Sequence, residues 1–262
     1  MASQRRVVGR PGQITVRDIE EAGRAIGLEG LTVQGVATAL GVTPTALYRH
    51  VDGRFGLENL VGESLLAELV VVDQLEHDAA DHLLSFAEQL RNFVLDHPGM
   101  SSYLQVLFPR GKAGAALLEG EITSLTRRGY EPDAAAVVCG TVALLAISLA
   151  AAEENQRKGI ASAPGFQDQR SASQRLLKTE GVLAAAHADL PEIGNDAYFR
   201  LVISACLHGI VSTAPPGRTV AEITAKLMSP APADLTPPAA KAAKAAKATK
   251  AMKAATAAEE ER

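Results

Sequence analysis

Thr43, Pro44, Thr45, Ala46, Tyr48, Arg49 and His50 put hydroxyls, methyl groups, a guanidinium and an imidazole into one short stretch. Groups of this kind suit nucleic acid. Hydroxyl, phenol and imidazole groups hold phosphate and sugar oxygens, a guanidinium can grip guanine O6 and N7 in a bidentate pair, and methyl groups meet the thymine methyl. Thr32 and Gln34 lie a few residues upstream, where Gln34 can pair with adenine, and Arg54 follows downstream. Bond-making chemistry is not indicated: no nucleophile stands beside a base, and no phosphate loop is present. The two cysteines, Cys139 and Cys206, lie away from any histidine or second cysteine at ligand spacing. The chain therefore reads as a non-enzyme without metal or cofactor.

These residues need helices to hold them. Val33, Val36, Ala37 and Leu40 recur at helical spacing, with Thr32 placed as N-cap and Gly41 placed to end the helix. Thr43 stands where it can cap a second helix whose first turn holds Pro44, while Leu47 and Val51 face inward. Two helices crossing through a short turn that contains glycine form a helix-turn-helix. An earlier helix begins at Thr15, which can form a capping box with Asp18, and runs to Gly27. A fourth, from Gly56 to about Leu69, carries leucines on its inner side. Gly35 and Gly56 are expected to weaken their helices by up to ~1 kcal/mol each.

The run GVTPTALYRHVDGR, preceded by LTVQGVATAL, resembles the TetR family of bacterial transcriptional regulators. The specific part of the likeness covers residues 10–66. It implies an all-α protein with an N-terminal three-helix DNA-binding domain and a C-terminal helical ligand-binding and dimerisation domain. By matching the motif, Tyr48, His50, Thr32 and Thr43 become phosphate or sugar contacts, and Arg54 stands where the family usually has lysine. Base readers would come from Gln34, Pro44, Thr45, Ala46 and Arg49. The resemblance also implies a homodimer on a near-palindromic operator of double-stranded DNA, as a repressor released when a small, mainly apolar molecule enters the body. His82, Phe86, Leu90, Phe93, Tyr103, Phe108 and His208 are the candidate lining of that pocket.

The rest of the chain reads as helices. Residues 79–95 carry an apolar stripe stopped by Asp96, His97, Pro98 and Gly99, and shorter patterns follow over 103–108 and 113–128. Residues 134–152 carry no charged side chain and are long enough to cross a membrane. Their richness in alanine and glycine favours a buried helix instead, one whose small residues at Ala136, Cys139, Gly140, Ala143 and Ala146 let another helix approach. Residues 197–213 form the natural mate, and the two pairs would build a dimer bundle. Residues 156–173 read as a mobile loop, and 220–228 as a last helix.

Organisation follows composition: a basic arm over 1–13, the helix-turn-helix domain over 14–58, the body over 59–228, and a Pro-rich linker with a Lys/Ala-rich tail over 229–262. The tail places Lys241, Lys244, Lys247, Lys250 and Lys253 at a three-residue step and reads as a disordered, nonspecific DNA-binding segment. The net charge of -4 is carried by the middle of the chain, since acids and bases nearly balance over residues 1–58. A second reading is a nucleoid-type binder in which the tail dominates and sequence matters little. The first ten residues are polar and basic rather than a signal peptide, which places the chain in the cytoplasm, on the nucleoid.

Overall fold

The computed structural model describes residues 14–188, 190–191 and 193–228. The basic arm and the lysine tail expected from the sequence lie outside these residues. Twelve helices run through the described residues, which carry no strand. They fall into two units, one ending at Thr219 and the other beginning at Val220.

The N-terminal helices follow their caps. Helix α1 (Val16–Ile26) opens with the expected box: Thr15 N–H donates to Asp18 Oδ2 at 2.7 Å and Asp18 N–H to Thr15 Oγ1 at 3.2 Å. Helix α2 (Val33–Ala39) is capped by Thr32, whose Oγ1 accepts from Gly35 N–H at 2.9 Å. Gly35 is more than a weak point: a Cβ built there would sit 2.9 Å from that Oγ1 and push the cap away. Helix α3 (Pro44–Leu47) is one turn long and starts with proline. Helix α4 (Gly53–Leu66) begins three residues before the sequence pattern placed it, so the expected domain boundary at 58/59 falls inside a continuous helix.

Ile19, Val36, Ala37, Leu47, Leu57 and Val61 are fully buried and close the core of this head. Alpha-one is also tied to α4 by polar bonds, with Arg24 Nη1 donating to Ser64 O at 2.9 Å and its Nη2 paired with Glu68.

The body is built from α5 (Ala79–Asp96), α6 (Met100–Val106), α7 (Lys112–Arg127), α8 (Pro132–Ser162) and α11 (Asn195–Thr213). Helix α8 is long and apolar enough to cross a membrane, but it packs against α5, α6, α7 and α11 as a core helix does. Arg91 of α5, itself buried, cross-links the helices: it donates to buried Glu153 of α8 at 2.6 Å and to exposed Asp196 of α11 at 2.8 Å, and its guanidinium lies 5.0 Å over the Phe199 ring.

One expectation needs correction. Residues 156–173 are not a loop: α8 continues to Ser162, and α9 (Phe166–Leu177) follows after three residues, with α10 (Gly181–Ala188) beyond it. Polar residues at 155–158 looked like a terminus, yet Glu153, Glu154, Arg157 and Lys158 are joined by i,i+4 pairs that extend the helix. Within one chain, Ala136, Cys139, Gly140 and Ala143 border a cavity. Helix α12 (Val220–Met228) matches its expected span.

Candidate nucleic-acid interface and body cavity

Leu47 is fully buried, and its neighbours in sequence are turned outward because a one-turn helix can bury only one face. Thr43, Thr45, Tyr48 and Arg49 are exposed, and Pro44, Ala46 and His50 are partly so. Tyr48 is 57% exposed, so its ring does not pack beneath the turn. Thr43 occupies the N-cap position of α3 without making a side-chain cap bond, which leaves its hydroxyl uncommitted. Thr32 accepts one bond from Gly35 and keeps its own hydrogen to donate. Gln34 is exposed on the first turn of α2. Arg54 lies in the first turn of α4 and pairs with Glu58 at 2.6 Å, so it reaches an anion only by sharing or leaving that partner.

The ten expected DNA-facing residues run from the N-cap of α2, through α3 and the turn after it, to the first turn of α4. Their groups are donors and methyls on a surface whose fold is held mainly by other side chains, Thr32 as the cap of α2 being the exception. Such a surface can bind without rearranging its core.

Pairing between head and body runs through α8 and the turn before α6. Glu29 N–H donates to Pro98 O at 3.2 Å, and Lys158 Nζ lies 3.1 Å from Glu29 Oε1 and 2.8 Å from Glu154 Oε1. Glu154 is buried and accepts from Gly99 N–H at 2.8 Å and Ser101 Oγ at 2.7 Å. Burial works to raise its carboxyl, but Lys158, Ser101 and the Gly99 amide outweigh that and hold it below the usual range. Gly99 has φ +91 and brings its backbone against Leu28 and Glu29; a Cβ there would stand 2.6 Å from Glu29 N.

In the body, α5, α6, α7 and α8 border a cavity of about 310 Å³ that is open on one side, where Leu144 and Gly140 are exposed. Its walls are apolar, from Phe86, Leu90, Leu104, Phe108, Leu117 and Ile147 among others, with Glu121 as the one charged side chain among the described residues that line it. Burial, and next the Glu121 charge, push the Cys139 thiol in the wall up to about 11, so it stays neutral at physiological pH. Glu121 is 4% exposed, and its Oε2 lies 3.1 Å from Nε2 of His82, itself 1% exposed. The other ring nitrogen of His82 faces Asp73 Oδ1 at 3.1 Å. Asp73 in turn pairs with Arg127 at 2.7 Å and Arg128 at 2.6 Å. Burial opposes the Asp73 charge, yet bonds from Arg128 and Ser124 prevail and keep its carboxyl below the ordinary value.

Of the seven residues expected to line a pocket, Phe86, Leu90 and Phe108 do so. His82 stands behind Glu121 in the ion-pair chain just described. Phe93 stacks on His97 with ring centroids 4.4 Å apart, away from the cavity. Tyr103 packs against Gly62, donates to Asn59 Oδ1 at 3.1 Å and carries Arg110 4.4 Å over its ring. His208 is exposed on α11, its Nδ1 2.7 Å from Ser204 O. Glu121, Leu104 and the small residues of α8 were missed as lining; only the run of alanine, glycine and cysteine on α8 carried a trace of the cavity.

Solved structures supply the comparison. ActR of Streptomyces coelicolor in its apo form superposes with a TM-score of 0.65 at 21% identity, over 78% of this chain and 97% of that one. The fold is that of the TetR regulators. The same Streptomyces protein, described as a TetR family protein in complex with actinorhodin, matches with a TM-score of 0.64 at 22% identity, over 77% of this chain and 99% of that one. TetR from Acinetobacter baumannii AYE matches at 0.54 and 17%, over 77% of this chain and 98% of that one. No family model matches the chain, and no curated protein matches it in sequence.

Proposed function

We propose that this chain is a TetR-family transcriptional regulator, a ligand-responsive protein that binds DNA through the outer face of α3. The observation that carries the proposal is the division of labour in that one turn. Leu47 anchors it in the core, while Thr43, Thr45, Tyr48 and Arg49 stand exposed with no role in holding the head together. Arg49 supplies base recognition, Gln34, Pro44, Thr45 and Ala46 add edge and methyl contacts, and Thr32, Thr43, Tyr48, His50 and Arg54 position the phosphates.

The working unit is a homodimer. Val137 and Leu144 on α8, and Tyr198 and Leu201 on α11, are each at least half exposed on the two helices whose apolar character the dimer bundle requires. A second copy of this chain is the partner that such a self-complementary stripe fits. Two heads then sit about one turn of DNA apart, roughly 34 Å, on a near-palindromic operator.

The cavity holds a small, mainly apolar effector that favours the DNA-incompetent arrangement of the heads, so the chain acts as a repressor released by its ligand. Helix α8 gives a physical route. It lines the cavity through residues such as Ala143 and Ile147, and about three turns beyond Ile147 it meets the head through Lys158, which pairs with Glu29. ActR, solved with actinorhodin, supports the ligand-responsive part of this reading. Binding-site selection from a random duplex pool tests the proposal. Enrichment of a near-palindrome is expected; absence of any enriched sequence from folded, dimeric protein would overturn it.

A further inference from the structure

The cavity asks for more than an apolar occupant, because one buried acceptor in its wall is left with bonding capacity. Glu121 spends Oε2 on His82 at 3.1 Å, and among the described residues its Oε1 has no hydrogen-bond partner. Glu121 borders the cavity, and an oxygen there that no protein donor meets can accept a hydrogen from a molecule in the cavity. We infer that Glu121 is the specificity-determining residue of the cavity, and that its ligand is a neutral apolar molecule carrying one hydroxyl that donates to Glu121. The inference rests on the cavity being the effector site.

Charge decides between donor types. His82 stands between two carboxylates, with Asp73 and Glu121 each 3.1 Å from one of its ring nitrogens. Glu121 therefore already has one hydrogen-bond partner inside the protein. Asp73 has two more in Arg127 and Arg128. A cationic ligand would bring a full charge into walls made of Phe86, Leu90, Leu104 and Ile147, where its desolvation cost can exceed what one carboxylate returns. An anionic ligand would meet the Glu121 carboxylate directly. A hydroxyl adds a charge-assisted hydrogen bond and no net charge, which is the arrangement that this wall stabilises.

Equilibrium dialysis of the full-length protein against 2-naphthol and 2-methoxynaphthalene tests this, since the two probes share an apolar body and differ in the donor. The wild-type protein is expected to bind 2-naphthol about tenfold or more tightly than the ether. In Glu121→Met the ratio should fall to about 1, chiefly by weaker naphthol binding, and in Glu121→Gln, which keeps an acceptor and the volume, it should fall only part of the way. Equal binding of both probes by the wild-type protein would overturn the Glu121 assignment and leave the cavity as a ligand site. Binding of neither would overturn both. The wild-type ratio needs no variant, and a preference for naphthol that survives unchanged in folded Glu121→Gln and Glu121→Met would also overturn the assignment.

Discussion

The outer face of α3 and the cavity of the body reach functional geometry in opposite ways. The head exposes donors and methyls from one short run of sequence, and the only member of that turn it buries completely is Leu47. The body gathers apolar side chains from four helices around empty space and leaves a single carboxylate among them. An exposed reading face can change its contacts without loss of fold, whereas a cavity wall is at once ligand site and core. Mutations should therefore separate binding from stability in the head and confound them in the body.

The largest effect expected is at the anchor. Leu47→Ala should cost about 2–5 kcal/mol in a urea unfolding curve, because a fully buried leucine leaves a void, and DNA binding should fail with it. Arg49→Ala two residues away should leave the unfolding midpoint unchanged, with stability altered by no more than about 0.5 kcal/mol, while base discrimination falls by about 1–3 kcal/mol in competition titrations. A loss of stability in Arg49→Ala as large as in Leu47→Ala would erase the distinction between anchor and reader.

On the body side, Ala143→Leu places a larger side chain in the cavity wall. Ligand uptake in dialysis should fall by tenfold or more while affinity for the selected duplex holds, since Ala143 lies far along α8 from the residues that meet the head. Acid should act on the connection between the two regions. The Glu154 carboxyl is held below its ordinary value of 4.5 in the folded protein, so the folded state binds fewer protons than the unfolded one. Its stabilising contribution is complete above that ordinary value and declines as pH falls below it. Thermal unfolding between pH 6 and 3.5 should show a falling Tm, and Glu154→Gln should flatten that fall. The smallest effect belongs to Glu29→Ala, which removes a half-exposed partner of Lys158 and should cost less than about 1 kcal/mol.

The same contrast explains what could be read from the sequence. In the head, each signal is local. Thr15 with Asp18, Thr32 with Gly35, and proline after Thr43 lie within three residues of their partners, so the helices and their outward side chains followed from spacing. Thr43 was the partial exception, since its hydroxyl stays out of the cap bond its position suggested. In the body, Glu121 meets a histidine 39 positions away in the chain, and nothing about its own neighbours marks it as buried. Phe93 and Tyr103 share the aromatic character of Phe86 and Phe108 but turn to other contacts, because the rotation of α5 and α6 about their axes decides which ring faces the cavity. Composition conveyed how apolar those helices are and could not convey that rotation. The extension of α8 through Glu153, Glu154, Arg157 and Lys158 was hidden for a related reason: those charges pair along the helix and with the head.

The central claim is that the exposed side chains of α3 read base sequence, and selection of bound duplexes by the wild-type protein and by Arg49→Ala, run side by side at one salt concentration, tests it most directly. The expected result is a near-palindromic consensus for the wild-type chain, with preference relaxed in Arg49→Ala at one symmetry-related base pair in each half-site. An identical consensus from both proteins would contradict the account.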